Sequence, residues 1–466
     1  MGDETSTAPG GWLPRKTAAE RAGVKAVGLV IAWSQSEPER VGQWATIPDQ
    51  TSVLGRGAGE DDSEARVVFG CARPGAAVVG RPLTSRGLSR RQLALVRKGS
   101  ALEMARVGRG QVLVNGRVVE KAPLHLSDVI MIENELVLLV AERDLRELGG
   151  GASPAFVFGQ ADPDGIVGES PTSFRLRDEI AFLASRGEHT LVLGPSGAGK
   201  EVCARAIHRQ SKRAAGPFVA RNAATLPPGL IDAELFGNAR NFPSTGMRER
   251  RGIVGEAHLG TLFLDEIGEL PSELQAHLLR LLDAGEYHSL GEDKPRVSDL
   301  RLLSATNREP ETLKHDLLAR LKLRLAVPGL NDRREDIPLL VRHLLQKLMD
   351  ASQRARFFDP STNEPRISPD LVVDLLLHSY TTHVRELESM LLVALGDSRE
   401  AFIDTSDRVR ALVRHSPALI EVSDETIRET LSREGGNVSA AWRALGFSSR
   451  DALNRVLKKR GIKPKP

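Results

Sequence analysis

The segment Thr190-Leu191-Val192-Leu193-Gly194-Pro195-Ser196-Gly197-Ala198-Gly199-Lys200-Glu201 constrains the fold more than any other part of the chain. It reads as a buried β-run, a glycine-rich turn and the start of a helix, Glu201 to His208. That order stacks backbone N–H groups at a helix N-terminus, where the dipole favours an anion, and adds a lysine for terminal phosphates. Glycines let the backbone wrap a phosphate without Cβ clashes. The spacing is G-x-x-x-x-G-K, with Glu201 standing where most phosphate loops place Ser or Thr to hold Mg²⁺. The segment Gly194–Glu201 is therefore expected to bind ATP. A glycine turn capping an ordinary helix is the alternative.

Downstream, Gly260-Thr261-Leu262-Phe263-Leu264-Asp265-Glu266 is an apolar run ending in two carboxylates. Such an ending places acids at the C-terminal edge of a strand, where open α/β sheets bind ligands. Asp265 is expected to hold Mg²⁺, directly or through water, and Glu266 to polarise an attacking water. An Asp-Glu pair also makes a good helix N-cap, which is the competing reading.

A chain of 466 residues, 41% hydrophobic and 27% charged, has room for about three globular domains. Lys+Arg 64 against Asp+Glu 61 leaves net +3, so overall charge selects no partner. The basic excess is local: Arg455, Lys458, Lys459, Arg460, Lys463 and Lys465 crowd the C-terminal end. The two cysteines, Cys71 and Cys203, fall in different segments, which argues against a disulfide and for a reducing cytoplasm. No apolar run is long enough to span a bilayer, and the polar, glycine-rich N-terminus does not read as a signal peptide. The histidines are scattered without metal-ligand spacing.

The chain is expected to be multidomain. Residues 1–23 read as disordered. Residues 24–145 carry short β-runs broken by turns (Val27–Trp33, Gly42–Ile47, Gln92–Arg97, Leu102–Val107, Gln111–Val114, Val129–Ile132, Leu136–Ala141), which predicts a β-sandwich. Residues 146–163, containing Gly149-Gly150-Gly151-Ala152-Ser153-Pro154, read as a flexible linker. Strands alternate with amphipathic helices over 164–400, predicting a parallel-sheet nucleotide domain closed by a helical portion. Residues 420–466 form a small helical module.

The central motifs, taken together, resemble the AAA+ domain of bacterial enhancer-binding proteins, the activators of sigma-54 RNA polymerase. That family's phosphate loop typically reads GESGTGKE, so Glu201 after Lys200 is a family mark. The resemblance runs from Ile166-Val167-Gly168-Glu169-Ser170 to Val384-Arg385-Glu386-Leu387-Glu388. It includes Glu234-Leu235-Phe236-Gly237, Ser304-Ala305-Thr306-Asn307 and Arg333-Arg334-Glu335-Asp336-Ile337-Pro338. The resemblance implies that Lys200 contacts the β/γ-phosphates and that Asn222 is a switch residue pairing with Glu266. It makes Asn307 and Arg385 the two nucleotide sensors. The family completes its site with arginines from the neighbouring subunit of a ring, so self-association up to a hexamer is implied. Arg320 matches one such arginine and Lys314 stands in the place of the other; a lysine keeps the charge but loses the planar fork.

Members that remodel sigma-54 carry a GAFTGA loop, whose place here holds Asn241-Phe242-Pro243-Ser244-Thr245-Gly246. Pro243 stands for the Phe that contacts the sigma factor, which implies lost or altered coupling. Neutral drift of the loop is the other reading, and Phe242 is one place away.

The C-terminal module resembles the Fis-type helix-turn-helix, with helices expected over Asp424–Arg433, Val438–Leu445 and Ser449–Lys459 around Gly435-Gly436-Asn437. Ser449, Arg450, Asn454, Arg455 and Lys458 are its candidate DNA contacts. A protein-binding three-helix bundle is the alternative. The sandwich resembles a forkhead-associated domain, a phosphothreonine reader, through Leu54-Gly55-Arg56, Leu88-Ser89-Arg90-Arg91-Gln92 and Asn115-Gly116. Arg56, Ser89, Arg90 and Asn115 are its candidate phosphopeptide residues. Gln92 replaces the usual His, and Gly110-Gln111-Val112 replaces N-G-T. The expectation is an ATP-dependent, DNA-binding regulator that meets sigma-54 polymerase under a phosphothreonine sensor. A sigma-54-independent regulator using ATP for assembly is the rival.

Overall fold

The computed structural model describes residues 25–57, 65–75, 79–99, 101–144, 154–226, 229–242, 244–414 and 424–433, with Val438, Ala441, Leu457 and Ile462. Two antiparallel-rich sheets form the N-terminal sandwich. One runs β2 (Trp44–Thr46), β1 (Lys25–Ser34), β11 (Leu136–Asp144), β10 (Val129–Ile132), β7 (Val112–Val114), β8 (Arg117–Val118). The other runs β4 (Ala65–Arg66), β3 (Thr51–Leu54), β5 (Leu93–Lys98), β6 (Ala101–Arg106), β9 (Lys121–Leu124).

Antiparallel sheets usually alternate apolar and polar residues because one face meets water. Here β1 is buried from Ala26 to Ser34, and β11 from Leu136 to Val140. Both faces of that sheet are dry. The inner face packs within the sandwich, and the helix Pro369–Leu377 lies against β1, β10 and β11 on the other. One continuous core results, joining Leu29, Ile31 and Leu138 to Leu339, Leu371, Leu375 and Leu387 of the helical portion. The Trp33 indole donates to the Ile367 carbonyl at 2.9 Å, so the seam is pinned by polar contacts as well.

The stretch expected as a free linker differs from that expectation over its described part, 154–163. The Arg73 guanidinium lies 4.7 Å from the Phe156 ring and 5.3 Å from the Phe158 ring, and donates to the Phe156 carbonyl at 2.7 Å. Asp162 pairs with Arg177 at 2.7 Å. Aromatic and charged residues behind the glycines tie this stretch down.

The central domain is a five-stranded parallel sheet in the order β13 (Phe218–Asn222), β14 (Thr261–Asp265), β17 (Arg301–Thr306), β12 (Thr190–Leu193), β18 (Leu323–Ala326). Its inner strands are apolar runs because helices cover both faces. A separate two-stranded hairpin pairs β15 (Glu286–Tyr287) with β16 (Arg296–Val297). Helices Ile337–Leu348, Ala351–Phe357, Pro369–Leu377, His383–Asp397 and Asp407–Leu412 make the lid. Cys71 and Cys203 are free thiols; burial pushes Cys203 up to about 12. Among the described residues no helix is long and apolar enough to cross a membrane, and no cluster suits a metal ion held by protein groups alone.

In the C-terminal module the helix Asp424–Arg433 is described, and Ile427, Leu431, Ala441, Leu457 and Ile462 bury one another in a small separate core. Ser449, Arg450, Asn454, Arg455 and Lys458 lie outside the described residues.

Candidate functional site

The phosphate loop leaves β12 at the C-terminal edge of the sheet. Gly197 sits at φ 74°, and a Cβ there would meet the Thr382 carbonyl oxygen at 2.1 Å, so only glycine lets lid and loop approach this closely. Gly199, at φ 102°, caps the helix Lys200–Arg209. A Cβ at Gly199 would meet nothing within 4 Å, which leaves the loop open above the helix N-terminus.

Lys200 is 6% exposed; its Nζ donates to the Gly194 carbonyl at 3.1 Å and stands 3.6 Å from Glu266 Oε1. Glu266 follows β14 at φ 52°, a strained value for a non-glycine residue that turns its carboxylate back toward the loop. The Asn307 backbone N–H donates to Glu266 Oε2 at 3.4 Å, and Asp265 Oδ1 accepts from the Glu266 backbone N–H at 3.0 Å. Strand register brings Asn222 beside Asp265. From the lid, Arg385 Nη1 reaches Ser196 Oγ at 3.3 Å, and the Val384 amide donates to the Gly197 carbonyl at 3.1 Å. The fold thus gathers Ser196, Lys200, Asp265, Glu266, Asn307 and Arg385 around one loop.

Four of the expected residues stand apart from this cluster; for Arg320 and Lys314 that is in keeping with a role expected at a neighbouring subunit's site. Asn222 accepts from the Ala224 amide at 2.9 Å, capping its own turn, and does not bond to Glu266; local Asx geometry prevails while Lys200 holds Glu266. The Glu201 carboxylate faces outward and pairs with Arg205 at 2.7 Å, one helical turn on. Arg320 is forked onto Asp283, with Nη2 3.1 Å from Oδ2, and lines a hollow with Gly187, Glu188 and His189. That hollow lies at the N-terminal end of β12, a strand length or about 13 Å from the loop at its other end. Hydrogen bonding from Arg320 holds the Asp283 carboxyl below the usual carboxylate range. The Lys314 side chain is exposed, at the N-terminus of the short helix His315–Arg320 that ends on Arg320.

Arg333 is assigned no role by the sequence motif around it. It is 6% exposed, with Nη2 3.3 Å from the Ala198 carbonyl of the phosphate loop. Only its position in Arg333-Arg334-Glu335-Asp336 hinted at this.

In the loop standing for GAFTGA, Asn241 (φ 64°) accepts from the Gly246 amide at 3.0 Å, closing a tight turn. Phe242 folds back onto the hairpin: a Cβ at Gly291 would lie 2.5 Å from Phe242 Cγ. Ser244 and Thr245 are exposed, and Pro243 lies outside the described residues.

At the sandwich loops, the Arg56 amide donates to the Ser89 carbonyl at 3.1 Å, and Ser89 Oγ accepts from the Arg109 amide at 3.0 Å. Gln92 is fully buried; Oε1 accepts from the Ser89 amide at 3.0 Å and Nε2 donates to the Arg109 carbonyl at 2.6 Å. A glutamine therefore ties these two loops together, where the family pattern has His. Arg56 and Ser89 are half-buried and Arg90 is exposed on the same loops. Asn115 differs: at φ 50° it heads a hairpin turn, and its amide bridges Asp128 Oδ1 (2.7 Å) and the Val129 amide (2.9 Å). The side chain is engaged in the turn.

A parallel α/β sheet, a phosphate loop and a helical lid touching that loop define a P-loop nucleotide-domain protein. Residues 166–328 match the family described as the Sigma-54 interaction domain. The chain is 32% identical over 367 residues to the regulatory protein AtoC of Escherichia coli (strain K12), covering 73% of this chain and 77% of that one. It is 34% identical over 310 residues to the transcriptional regulatory protein ZraR of the same organism, covering 63% and 68%. Among solved structures it is similar to NtrX from Brucella abortus in complex with ADP, at 34% identity and TM-score 0.46, covering 65% of this chain and 70% of that one. The chain belongs to the sigma-54-dependent transcriptional regulators.

Proposed function

We propose that this regulator binds ATP at the Lys200 loop and hydrolyses it in a site completed by a second copy of the chain. The observation that carries this is the convergence of Lys200, Glu266, Asn307 and Arg385 on an open glycine loop. Lys200 and the loop amides bind the phosphates. Asp265, a hard oxygen donor at the strand end, would hold Mg²⁺, which supplies charge neutralisation on the phosphates. Phosphate oxygens compete with Glu266 for Lys200, which frees Glu266 to orient water and to meet Asn222. Arg320, held far from its own loop, is placed to serve the neighbouring subunit's site. Hydrolysis then drives the loop at Asn241–Gly246 against RNA polymerase carrying sigma-54. The decisive experiment is in vitro transcription with sigma-54 polymerase: ATP-dependent open complexes support the reading, and their absence for both the natural loop and a restored GAFTGA loop refutes it.

The loop carries a second reading, in which ATP serves assembly and sigma-54 coupling is weak. Phe242 packs on Gly291 and offers only part of its ring to a partner. Restoring GAFTGA across Asn241–Gly246 is expected to strengthen capture of sigma-54 by the protein bound to a transition-state analogue of ATP. Strong capture by the natural sequence would show that Phe242 or another loop residue already does this work.

The sandwich serves as a phosphothreonine sensor, with Arg56, Ser89 and Arg90 around the phosphate and Asn115 shaping the neighbouring turn. A phosphothreonine peptide library is expected to yield binders that Arg56→Ala abolishes. Equal binding of phosphorylated and unphosphorylated peptides would leave the sandwich an architectural role. The C-terminal module binds DNA as a dimer through Ser449, Arg450, Asn454, Arg455 and Lys458. In the full chain, Asn454→Ala is expected to alter sequence preference, whereas Lys463→Ala weakens all sites alike and reduces the salt slope. DNA affinity that ignores both changes would count against the module.

A further inference from the structure

Two arginines of the sandwich end in the polar knot that braces the phosphate loop. Arg143, in β11, lies 4.7 Å from the Trp44 ring, and its Nη2 and Nε stand 2.5 and 3.0 Å from Glu335 Oε2. The Arg143 side chain is 2% exposed and that of Glu335 13%. The next residue, Asp336, accepts from the amides of Glu169 (2.8 Å) and Ser170 (2.9 Å) and from the hydroxyls of Ser170 and Ser173 (both 2.6 Å). Those residues open the helix Pro171–Ala184. Two positions before Glu335, Arg333 holds the Ala198 carbonyl. Arg73 meanwhile grips Glu169, with Nε 2.8 Å from Oε2.

The geometry points to Arg143 as a positioning residue for the nucleotide site. By neutralising Glu335 it fixes the turn Arg333–Asp336, and that turn fixes both the phosphate loop and the start of the first helix of the nucleotide domain. The sandwich is thus a working part of the ATP module, and its docking sets nucleotide affinity. This rests on the ATP reading of the Lys200 loop.

The electrostatics agree with the geometry. Burial pushes the Glu335 carboxyl up and Asp336 adds to that, while Arg143 opposes both. Without Arg143, Glu335 keeps only a buried like-charged neighbour. A buried charge that loses its partner must protonate or move toward water. Either change releases the turn that carries Arg333.

The test is titration of the full chain with a fluorescent ATP analogue and Mg²⁺. Arg143→Ala is expected to weaken binding by about fivefold or more, the lower range of intersite coupling. Arg143→Lys, which keeps charge without the fork, should fall between it and the parent. Lys25→Ala removes an ion pair with Glu142 at the exposed start of the same strand pair and should match the parent. Amide exchange at Ala198–Lys200 should speed up in the Arg143 variants. If Arg143→Ala fails to fold, Arg143→Lys and Arg73→Lys carry the comparison. A parent that binds no nucleotide overturns the ATP reading itself. A binding parent whose Arg143 variants bind equally tightly, with unchanged loop exchange, overturns this inference alone.

Discussion

Lys200→Ala is expected to abolish nucleotide binding, whereas Glu266→Gln is expected to keep binding and to lose about 10²- to 10⁴-fold in turnover, the usual contribution of a general base. The two residues sit 3.6 Å apart, yet the roles separate cleanly. Lys200 is nearly buried beneath the loop and is the cation best placed for phosphate. Removing it leaves the loop amides, the Ser196 hydroxyl and the exposed Arg385 guanidinium without the cation beneath them. In the proposed mechanism Glu266 becomes available for water when phosphate displaces it from Lys200, so an amide there should spare binding and remove the base. Equilibrium binding and steady-state phosphate release, measured on the same preparations, check both halves. Hydrolysis by Lys200→Ala at the parent rate would show that the site is misassigned.

Arg320→Ala is expected to bind ATP normally and to lose about 10³-fold or more in turnover, the range of an arginine supplied in trans. The strand β12 separates Arg320 from its own phosphate loop, so an effect of that size requires a neighbouring copy. Asp283 holds the guanidinium in the free chain and would have to release it or share it at the interface. Mixing Arg320→Ala with Glu266→Gln protein should restore part of the activity, because some sites then combine an intact Glu266 with an intact Arg320. Turnover of Arg320→Ala at the parent rate would remove it from the site. A deficit that mixing fails to relieve would make its role internal to one subunit.

Much of this arrangement is legible in the sequence because its determinants are local. A β-run, a glycine turn and a lysine within twelve consecutive residues define the phosphate loop, and an apolar run closing on Asp265-Glu266 defines the opposing strand end. The unbroken apolar runs Val27–Trp33 and Leu136–Ala141 carried a further message, that both faces of that sheet are covered. What covers them is a helix far along the chain, Pro369–Leu377, and no local pattern names a distant partner. The glycines before Pro154 suggested slack, and Phe156 and Phe158 just beyond them dock on Arg73. Charged residues such as Arg143 and Glu335 are usually solvated, so only coordinates reveal them as a buried pair. The Asn222 side chain, by contrast, follows its local turn, capping the Ala224 amide, which an Asn at a strand end does by itself.

Whether the site is shared between copies is read most directly from hydrolysis of Mg²⁺-ATP by the intact chain as a function of chain concentration. Turnover per chain is expected to be slow when dilute and to rise steeply as copies assemble, because in the proposed site Lys200 and Arg320 come from different subunits. No hydrolysis at any concentration, or a rate per chain that stays constant from dilute to concentrated solution, would contradict this expectation.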